Sequence, residues 1–411
     1  MQMTAKEKSF LRELAKKQRE YANKPIMQER ARLWKLHNLL KGERPMVVME
    51  EGTFLGEILP RLQCESLPAR QIESQLLHNI CIHELIGDDK VIPDTFKIGI
   101  YMGAKFLGVS PQKTYAEDGV GYHIDPVIHN LEDDMHILSA SEFFYDKDGV
   151  LAFTDVVNDT IGDILPVQHE NDYNRWGFCM TQKVVDLMGM DNMFCAMMTE
   201  PETFHKLMRM ITDELIKSLR WQEENGLLKL NNQNDYMGSG SFCFTDELPQ
   251  SDFNGYVRSI DTWGHINSQE SVGMSPKMFH EMLYPYYEEM AAQFGLVYYG
   301  CCEPVHEYWD SLCNLPNLRK ISISSWCDEQ LMAERLYGGS VIYSRKPSAN
   351  FLGVNKELDE PAFTENIKTT ANLVKNFKAE IIFRDIYKLS GNIGKIKRAV
   401  EITRELTEDI Y

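Results

Sequence analysis

Apolar and polar residues follow a helical period over the first ninety positions of this chain of 411 residues. Residues 4–20 place Phe10, Leu11 and Leu14 on one stripe among charged side chains, which predicts an amphipathic helix. The apolar run from Met46 to Met49 predicts a short strand. The region 92–165 is irregular and punctuated by Gly, Pro and Asp, so we interpret it as an insertion or cap.

After residue 170 the pattern becomes regular. Apolar or β-rich stretches recur near residues 174–180, 227–231, 257–268, 296–300, 319–325, 341–344 and 380–387. Helical segments separate them, and one of these is favoured to begin at Ser275 and Pro276 and to end at Gly295. Strands that alternate with helices at this spacing predict βαβ units and a parallel sheet.

The strand count favours one particular α/β architecture. Together with the strand at 46–49 the chain offers about eight strands, which favours a closed (β/α)8 TIM barrel over an open sheet. No G-x-G-x-x-G or Walker A motif is present, which favours the same fold. We therefore predict an N-terminal helical segment over residues 1–45 and a barrel over residues 46–411, with residues 92–165 as an inserted cap.

Charge and cysteine content narrow the classes of function. Acidic residues outnumber basic ones 61 to 43, for a formal net charge of −18, so nucleic acid is not an expected partner. No run approaches 18 apolar residues, and no membrane span is expected. Nine cysteines lack a disulfide-like rhythm and the N-terminus lacks a signal pattern, which together predict a cytoplasmic protein with reduced thiols.

Candidate chemistry lies where the predicted strands end, because the active site of such a barrel forms at their carboxyl ends. The stretch GLVYYGCCEPVHEYWD puts Cys301 and Cys302 directly after an apolar run. Glu270 and Cys327 follow the strands before and after it. Thiolates and a carboxylate at three successive strand ends are suited to a catalytic zinc site with an open position.

The same residues also have a structural interpretation. A buried cysteine is most often a small apolar residue, and Glu303 and His306 suit the first turn of a helix. In the functional interpretation, Tyr299, Glu303 and His306 are catalytic. The predicted substrate-binding residues are Tyr298, Gln269, Arg345, Lys346 and Arg384.

Three segments resemble the uroporphyrinogen decarboxylase superfamily. In WGHINSQESVGMSPKMFHEMLYPYYEEM, the pairs Ser275-Pro276 and Pro285-Tyr286 are similar to the "SP" and "PY" of that superfamily. VVDLMGMDNMFCAMMTEPETFHKLM is similar to the segment that leads into its long helix, and ERPMVVME to its first barrel strand. The resemblance covers roughly residues 30 to 405 and implies a TIM barrel.

The resemblance is closest to one branch of the superfamily. In the decarboxylase branch an N-terminal loop supplies arginines, whereas MEEGTFLG at 49–56 holds two glutamates and no arginine. The other branch comprises zinc-dependent methyltransferases with an H-x-C motif and a further cysteine near the last strand. Here Tyr299 stands at the histidine position, Cys301 at the cysteine, and FRDIYKLSGN has no cysteine. Glu270 and Cys327 would then complete the ligand set.

The resemblance thus implies a zinc-dependent methyltransferase. It would move a methyl group between a small molecule, such as an O-methyl or N-methyl compound or a thiol acceptor, and the corrinoid of a partner protein. Two alternatives stay open, namely a metal-free decarboxylase and a non-catalytic protein that binds a tetrapyrrole or corrinoid. Because this superfamily often dimerises, a homodimer is one option.

Overall fold

The computed structural model describes residues 3–117, 121–171, 173–375 and 377–411. The first two residues of the predicted N-terminal segment and residues 118–120 of the predicted cap lie outside this part. The helices are α1 (Ala5–Ala22), α2 (Pro25–Asn38), α3 (Leu55–Ile58), α4 (Leu67–Cys81), α5 (Leu131–Asp134), α6 (Lys147–Ile161), α7 (Met180–Met188), α8 (Met190–Thr199), α9 (Pro201–Glu224), α10 (Pro276–Met282), α11 (Tyr284–Ala291), α12 (Trp309–Leu312), α13 (Glu329–Leu336), α14 (Asn350–Gly353), α15 (Glu360–Leu373) and α16 (Gly394–Thr407).

The strands form one large sheet and several small pairs. They are β1 (Met46–Met49), β2 (Phe96–Gly99), β3 (Met102–Lys105), β4 (Gln112–Tyr115), β5 (Tyr122–Asp125), β6 (Glu142–Tyr145), β7 (Val167–Glu170), β8 (Tyr236–Gly238), β9 (Ser241–Phe242), β10 (Trp263–Ile266), β11 (Leu296–Tyr299), β12 (Leu318–Ile323), β13 (Ile342–Arg345) and β14 (Ala379–Phe383). The large sheet has the order β1-β14-β13-β12-β11-β10, and all its pairings are parallel. The α/β class and the parallel sheet are therefore confirmed, while strand pairings in the described residues extend to six strands and not to a closed ring of eight.

Both faces of this sheet are buried, as expected for parallel strands joined by helices. On β14, Ile381 and Phe383 pack outward against Phe363, Ile367 and Ile396 of the covering helices. Ile382 points to the opposite face, where it packs with Trp34 of α2 and Val48 of β1. This alternation decides which side chains reach the inner face, because successive residues of a strand point to opposite sides.

Two predicted strands have no counterpart in the described residues. Residues 174–180 form a 3₁₀ turn and the start of α7, and residues 227–231 are irregular. Leu227 and Leu228 are buried directly after α9, which accounts for their apolar character without a strand. Beside them, the Asn231 side chain exchanges hydrogen bonds of 2.9 and 3.0 Å with the backbone of Trp263 on β10. An amide side chain thus occupies the sheet edge where a strand was predicted.

The predicted cap region is more ordered than its sequence pattern indicates. Within 92–165 the chain forms β2, which pairs in parallel with β7, and two antiparallel pairs, β3 with β6 and β4 with β5. Helix α6 lies against α1, and Lys8 bonds Asp159 across this contact at 2.9 Å. None of the helices in the described residues is long and apolar enough to cross a bilayer.

Candidate active site

The carboxyl ends of β10, β11 and β14 bring a group of polar side chains together on the inner face of the sheet. β11 lies beside β10 in register, with Ile266 opposite Tyr299. Directly beyond β11, Gly300 has a φ of +98°, a conformation that favours glycine. A Cβ built at Gly300 would stand 3.0 Å from the Cβ of Ser322. The turn at Gly300 therefore fixes where the next residues, Cys301 and Cys302, are placed.

The two thiols lie against each other. Their Sγ atoms are 3.5 Å apart, with Cys301 buried and Cys302 half-buried. The guanidinium of Arg384 donates to Cys301 Sγ at 3.4 Å, and Cys302 Sγ lies 3.6 Å from the Asp385 carboxylate. A hydrogen bond from Cys302 and the charge of Arg384 lower the pKa of the Cys301 thiol, while contact with Cys301 and burial raise the pKa of Cys302. Cys301 is therefore the more acidic thiol of the pair.

Arg384 is held in place from several sides. Its Nη1 donates to Ser239 Oγ at 2.6 Å, and its Nε lies 3.2 Å from the Glu50 carboxylate. Its guanidinium also lies 5.9 Å from the ring of Trp176. These contacts orient the Arg384 guanidinium toward Cys301 at the carboxyl end of the sheet.

His265 forms a second wall of this region. Its ring nitrogens face the carbonyl oxygens of Arg175 and Gly300 at 3.0 and 3.2 Å. Burial lowers the pKa of His265 to about 4, so the ring is neutral near neutral pH. Trp176 packs edge-on against His265 with ring centroids 4.8 Å apart, and Tyr298 lies 5.4 Å away. The site thus has an aromatic side and a cationic side.

Lys346 and Tyr298 belong to the same inner face. Lys346 Nζ donates to Tyr298 Oη and, at 2.6 Å, to Ser344 Oγ. Burial lowers the pKa of Lys346 to about 7, and this pKa also responds to the charges of Arg384 and Cys301. Among the predicted site residues, Tyr298, Lys346, Cys301, Cys302 and Arg384 are therefore neighbours.

Glu270 lies in a neighbouring buried position. Its carboxylate accepts a hydrogen bond from Thr181 Oγ1 at 2.6 Å and interacts with the side chain of Gln269. Burial raises the pKa of Glu270. Cys179 lies close by, where Asn267 Nδ2 donates to its Sγ at 2.9 Å. Burial, followed by the charge of Glu270, raises the pKa of Cys179.

Cys327 is held by a different set of contacts. Its Sγ lies 3.8 Å from the carbonyl oxygen of Glu303 and 3.6 Å from Ser324 Oγ, within the large apolar cluster beneath the helices. Burial raises the pKa of Cys327. The neighbouring His306 is half-buried and its Nδ1 accepts from the backbone of Asp328 at 3.3 Å. The structure thus gives Cys327 and His306 partners that differ from those of Cys301.

Three other predicted residues have structural contacts. Tyr299 faces the helices, where its hydroxyl lies 2.5 Å from Ser268 Oγ. The Glu303 carboxylate is fully buried and accepts from the backbone N–H groups of Ser268 and Cys301, both at 2.9 Å. Arg345 pairs with Glu329 of α13 and donates to strand-end carbonyl oxygens. These residues hold the site in place without lining its inner face.

The side chains predicted to bind zinc do not converge on one point. Within the described ranges, no three His, Cys, Asp or Glu side chains are arranged so that they could hold a metal ion. The Glu270 carboxylate bonds Thr181, and Cys327 Sγ faces a carbonyl oxygen and a hydroxyl. In this arrangement Glu270, Cys301 or Cys302, and Cys327 do not fit a zinc centre, and the zinc site stays a prediction.

Sequence reasoning missed several members of the site. Cys179 and Trp176 lie in a stretch that was interpreted as a strand, and no spacing links them to Cys301. His265 lies inside the predicted strand at 257–268. The signal that could have identified it as a site residue was an imidazole within a buried strand. Glu50 lies just beyond β1, a strand end that could have been treated like the others.

Comparison with solved structures gave 23 chains that are significantly similar. No family model matches the chain, and no curated protein gives a significant match. The structure of a methyltransferase from Methanosarcina mazei is similar over 89% of this chain and 96% of its own, with 11% identity and a TM-score of 0.49.

Proposed function

We propose that this protein is a methyltransferase that moves a methyl group between a small substrate and the corrinoid of a partner protein. The small substrate is an O-methyl or N-methyl compound, or a thiol acceptor. The sequence resemblance to the corrinoid-linked branch supports the reaction class. The observation that carries the proposal is the Cys301 thiol, which lies beside Cys302 and Arg384 at the carboxyl end of β11.

The charges around Cys301 support a substrate with an anionic or developing negative group. Arg384 and Lys346 are two cations close to the thiol, and His265 is neutral. When a methyl group leaves an ether oxygen, negative charge develops on that oxygen, and positioned cations stabilise it. Trp176 is 41% exposed and supplies a flat apolar surface on which an aromatic or methylated substrate can pack.

Zinc remains part of the proposal as a metal to be tested. Thiolate is a soft ligand that zinc prefers, and a bound zinc would supply a Lewis acid. Because three ligands do not converge here, we assign no step to the metal. Metal analysis tests this part: about one zinc per chain, lost in Cys301→Ala, supports the ligand set. Metal-free protein that is fully active overturns it.

Closure of the sheet into a barrel is also proposed. β1 and β10 are the edges of the six-stranded sheet. Near β1, Asp88 and Asp89 accept hydrogen bonds from the backbone of Met49 and Val47. Between the edges, Lys97 on β2 bonds Asp235 beside β8 at 3.2 Å. We infer that β2, β7 and β8 with their loops fill the gap that two barrel strands would occupy.

The metal-free decarboxylase has less support. Its substrate would carry several carboxylates and would need clustered arginines. Arg345 and Arg384 were the pair available for this role. Arg384 faces Cys301, whereas Arg345 pairs with Glu329 of α13. The two guanidiniums therefore have separate partners and do not form one binding site.

Anaerobic spectroscopy tests the function directly. Purified protein is incubated with cob(I)alamin and a panel of methoxylated aromatics and methylamines, and in reverse with methylcobalamin and a thiol. We expect conversion between cob(I)alamin and methylcobalamin with at least one compound. Cys301→Ala should abolish it, while Cys313→Ala, at an exposed cysteine, should not. No conversion across the panel, or equal rates in both variants, would overturn the proposal.

A further inference from the structure

Lys346 is a fully enclosed amine on the inner face of the sheet. It follows β13 directly, and its side chain is only 3% exposed. Its Nζ has three hydrogen-bond acceptors: Tyr298 Oη, Ser344 Oγ at 2.6 Å and the Ser344 carbonyl oxygen at 3.2 Å. All three are neutral. Within the described residues, no carboxylate lies within ion-pair distance of this nitrogen.

Two other buried lysines are paired with carboxylates, whereas Lys395 at the start of α16 is, like Lys346, 3% exposed and donates to a neutral oxygen, the Asn355 carbonyl, at 2.7 Å. Lys90 contacts the carboxylates of Glu51 and Asp88, and Lys320 lies 3.0 Å from Glu380. Burial acts to lower the pKa of Lys90, but its two carboxylates outweigh burial and the pKa is raised. Lysine is rarely buried unless it is paired. Lys346 breaks this rule, and such exceptions concentrate at functional sites.

The hydrogen bonds around Lys346 have a defined direction. Ser344 Oγ donates to Glu380 at 2.5 Å, so its lone pairs are free to accept from Lys346. Tyr298 Oη lies 2.8 Å from the same Oγ. The other carboxylate oxygen of Glu380 accepts a hydrogen bond from Lys320. Lys346 is therefore oriented by a rigid, neutral pair of acceptors, with the charge of Glu380 one group further away.

The charged groups that act on Lys346 belong to three strands of the sheet or to the residues that follow them. Glu380 and Arg384 belong to β14 and its end, Cys301 follows β11, and Glu50 follows β1. Glu380, Cys301 and Glu50 favour the ammonium, while burial and Arg384 favour the neutral amine. The balance leaves the amine able to gain and lose a proton near neutrality, which a general acid–base group requires.

We propose that Lys346 is the proton donor and acceptor of this site, an inference that rests on the proposed methyl transfer. The methyl carbon would form its new bond with the electron pair of the cob(I)alamin that the partner protein supplies. As its bond to the substrate oxygen or nitrogen breaks, the electron pair of that bond stays on the heteroatom. An N–H bond of the Lys346 ammonium breaks and a new bond forms from that proton to the heteroatom, which leaves a neutral amine. In the opposite direction the amine takes the proton of a thiol or alcohol that accepts the methyl group.

The titration of Lys346 can be measured without a substrate. Full-length protein with ¹³C- and ¹⁵N-labelled lysine is followed by NMR from pH 5 to 10, and the signal missing in Lys346→Met gives the assignment. Lys346 is expected to titrate near neutrality, while Lys90 stays charged over the same range. Ser344→Ala removes an acceptor of the ammonium and should lower the midpoint further. A Lys346 midpoint above pH 9 would overturn the proposal.

Turnover then separates this proposal from the proposed function. With a methyl donor that the wild type uses, Lys346→Met should lose 10²-fold or more in rate, on the order expected for general acid catalysis. Lys346→Arg keeps the charge but holds its proton too tightly, so it should also be slow, and added ethylamine should partly restore Lys346→Ala. Lys35→Met serves as the control. Unchanged rate and pH profile in Lys346→Met would overturn the role of Lys346 and leave the methyl-transfer function standing. An inactive wild type with a Lys346 midpoint near neutrality would overturn the methyl-transfer function, and with it the proton transfer in that reaction, and leave only the titration of Lys346 standing.

Discussion

The guanidinium of Arg384 lies 3.4 Å from the sulfur of Cys301, although 83 residues separate them in the chain. The contact arises because β11 and β14 are parallel strands of one sheet, so their carboxyl ends lie on the same side of it. Ser239 and Glu50 already fix the side chain of Arg384. Placing its charge beside the sulfur therefore costs no further side-chain conformational entropy. The pair therefore defines an electropositive position for a thiolate.

Loss of this charge should reduce the reactivity of Cys301. In Arg384→Met the pKa of the Cys301 thiol should rise, and each unit of rise lowers the thiolate fraction at pH 7 by up to about tenfold. Alkylation by iodoacetamide, quantified by mass spectrometry at the Cys301 peptide, measures this. Arg32→Met is the control, since Arg32 pairs with surface glutamates. Equal alkylation rates in wild type and Arg384→Met would show that Arg384 does not stabilise the thiolate.

The buried pair of Lys320 and Glu380 should dominate the stability of the inner face. Both side chains are fully enclosed, and Glu380 also accepts from Ser241 and contacts His37. Lys320→Met leaves a buried carboxylate without its main cation, which costs about 3–5 kcal/mol of unfolding free energy. Urea denaturation measures the change.

A surface pair provides the comparison for Lys320. Lys8 and Asp159 form an exposed pair, and Lys8→Met should cost about 1 kcal/mol or less. The double variant Lys320→Met with Glu380→Met should recover part of the loss, because no charge is left unpaired. A loss in Lys320→Met no larger than in Lys8→Met would contradict the argument.

Glu303 should act through the backbone and not through chemistry. Its carboxylate accepts from the N–H groups of Ser268 and Cys301 and so ties the ends of β10 and β11 together. Glu303→Gln replaces one acceptor oxygen with an amide NH₂ group that cannot accept, which leaves a buried N–H unpaired at a cost of about 1–3 kcal/mol. Urea unfolding measures it, with the exposed Glu307→Gln as the control. Equal stability of the two variants would argue against this clamp.

The sheet was accessible from sequence because buried parallel strands are continuous apolar runs. β1 and β11 lie where the runs at 46–49 and 296–300 predicted them. The sequence did not predict to which side of the sheet each residue points. Tyr298 and Tyr299 are adjacent, yet one reaches Lys346 and the other the helices. A shift of one residue in register exchanges their roles, and no local pattern fixes it.

Long-range contacts account for what else was missed. Asn231 bonds the edge of β10 through its side chain, and a composition of apolar residues near 227–231 gives no hint of that. Cys179 reaches Asn267 only because the turn before α7 folds over the sheet. Arg345 and Lys346 looked equivalent as neighbouring cations, but β13 sends them to opposite faces. Such pairings depend on tertiary packing and not on spacing.

Burial of Lys346 should leave a distinct signature in the pH dependence of stability. Its pKa in the folded protein is about 7, well below the ordinary lysine value of 10.5. Between these two values the unfolded chain binds more protons than the folded chain, so the free energy of unfolding rises with pH across this window. Each unit of difference corresponds to about 1.4 kcal/mol. Lys346→Met lacks this term, so the wild type should gain stability relative to the variant as pH rises from 7 to 10.

Parallel urea titrations of wild type and Lys346→Met at intervals of pH measure this difference. The free energy of unfolding of the wild type, relative to that of the variant, should be lowest at pH 7 and below. At these pH values the enclosed amine must carry its charge among neutral acceptors. Lys90→Met should differ from the wild type by a constant amount over the same range, since its carboxylate partners raise the pKa of Lys90 and its contribution is lost only at higher pH. A difference between wild type and Lys346→Met that does not vary with pH would mean that the amine keeps its charge in the folded protein, and the acid–base role would lose its basis.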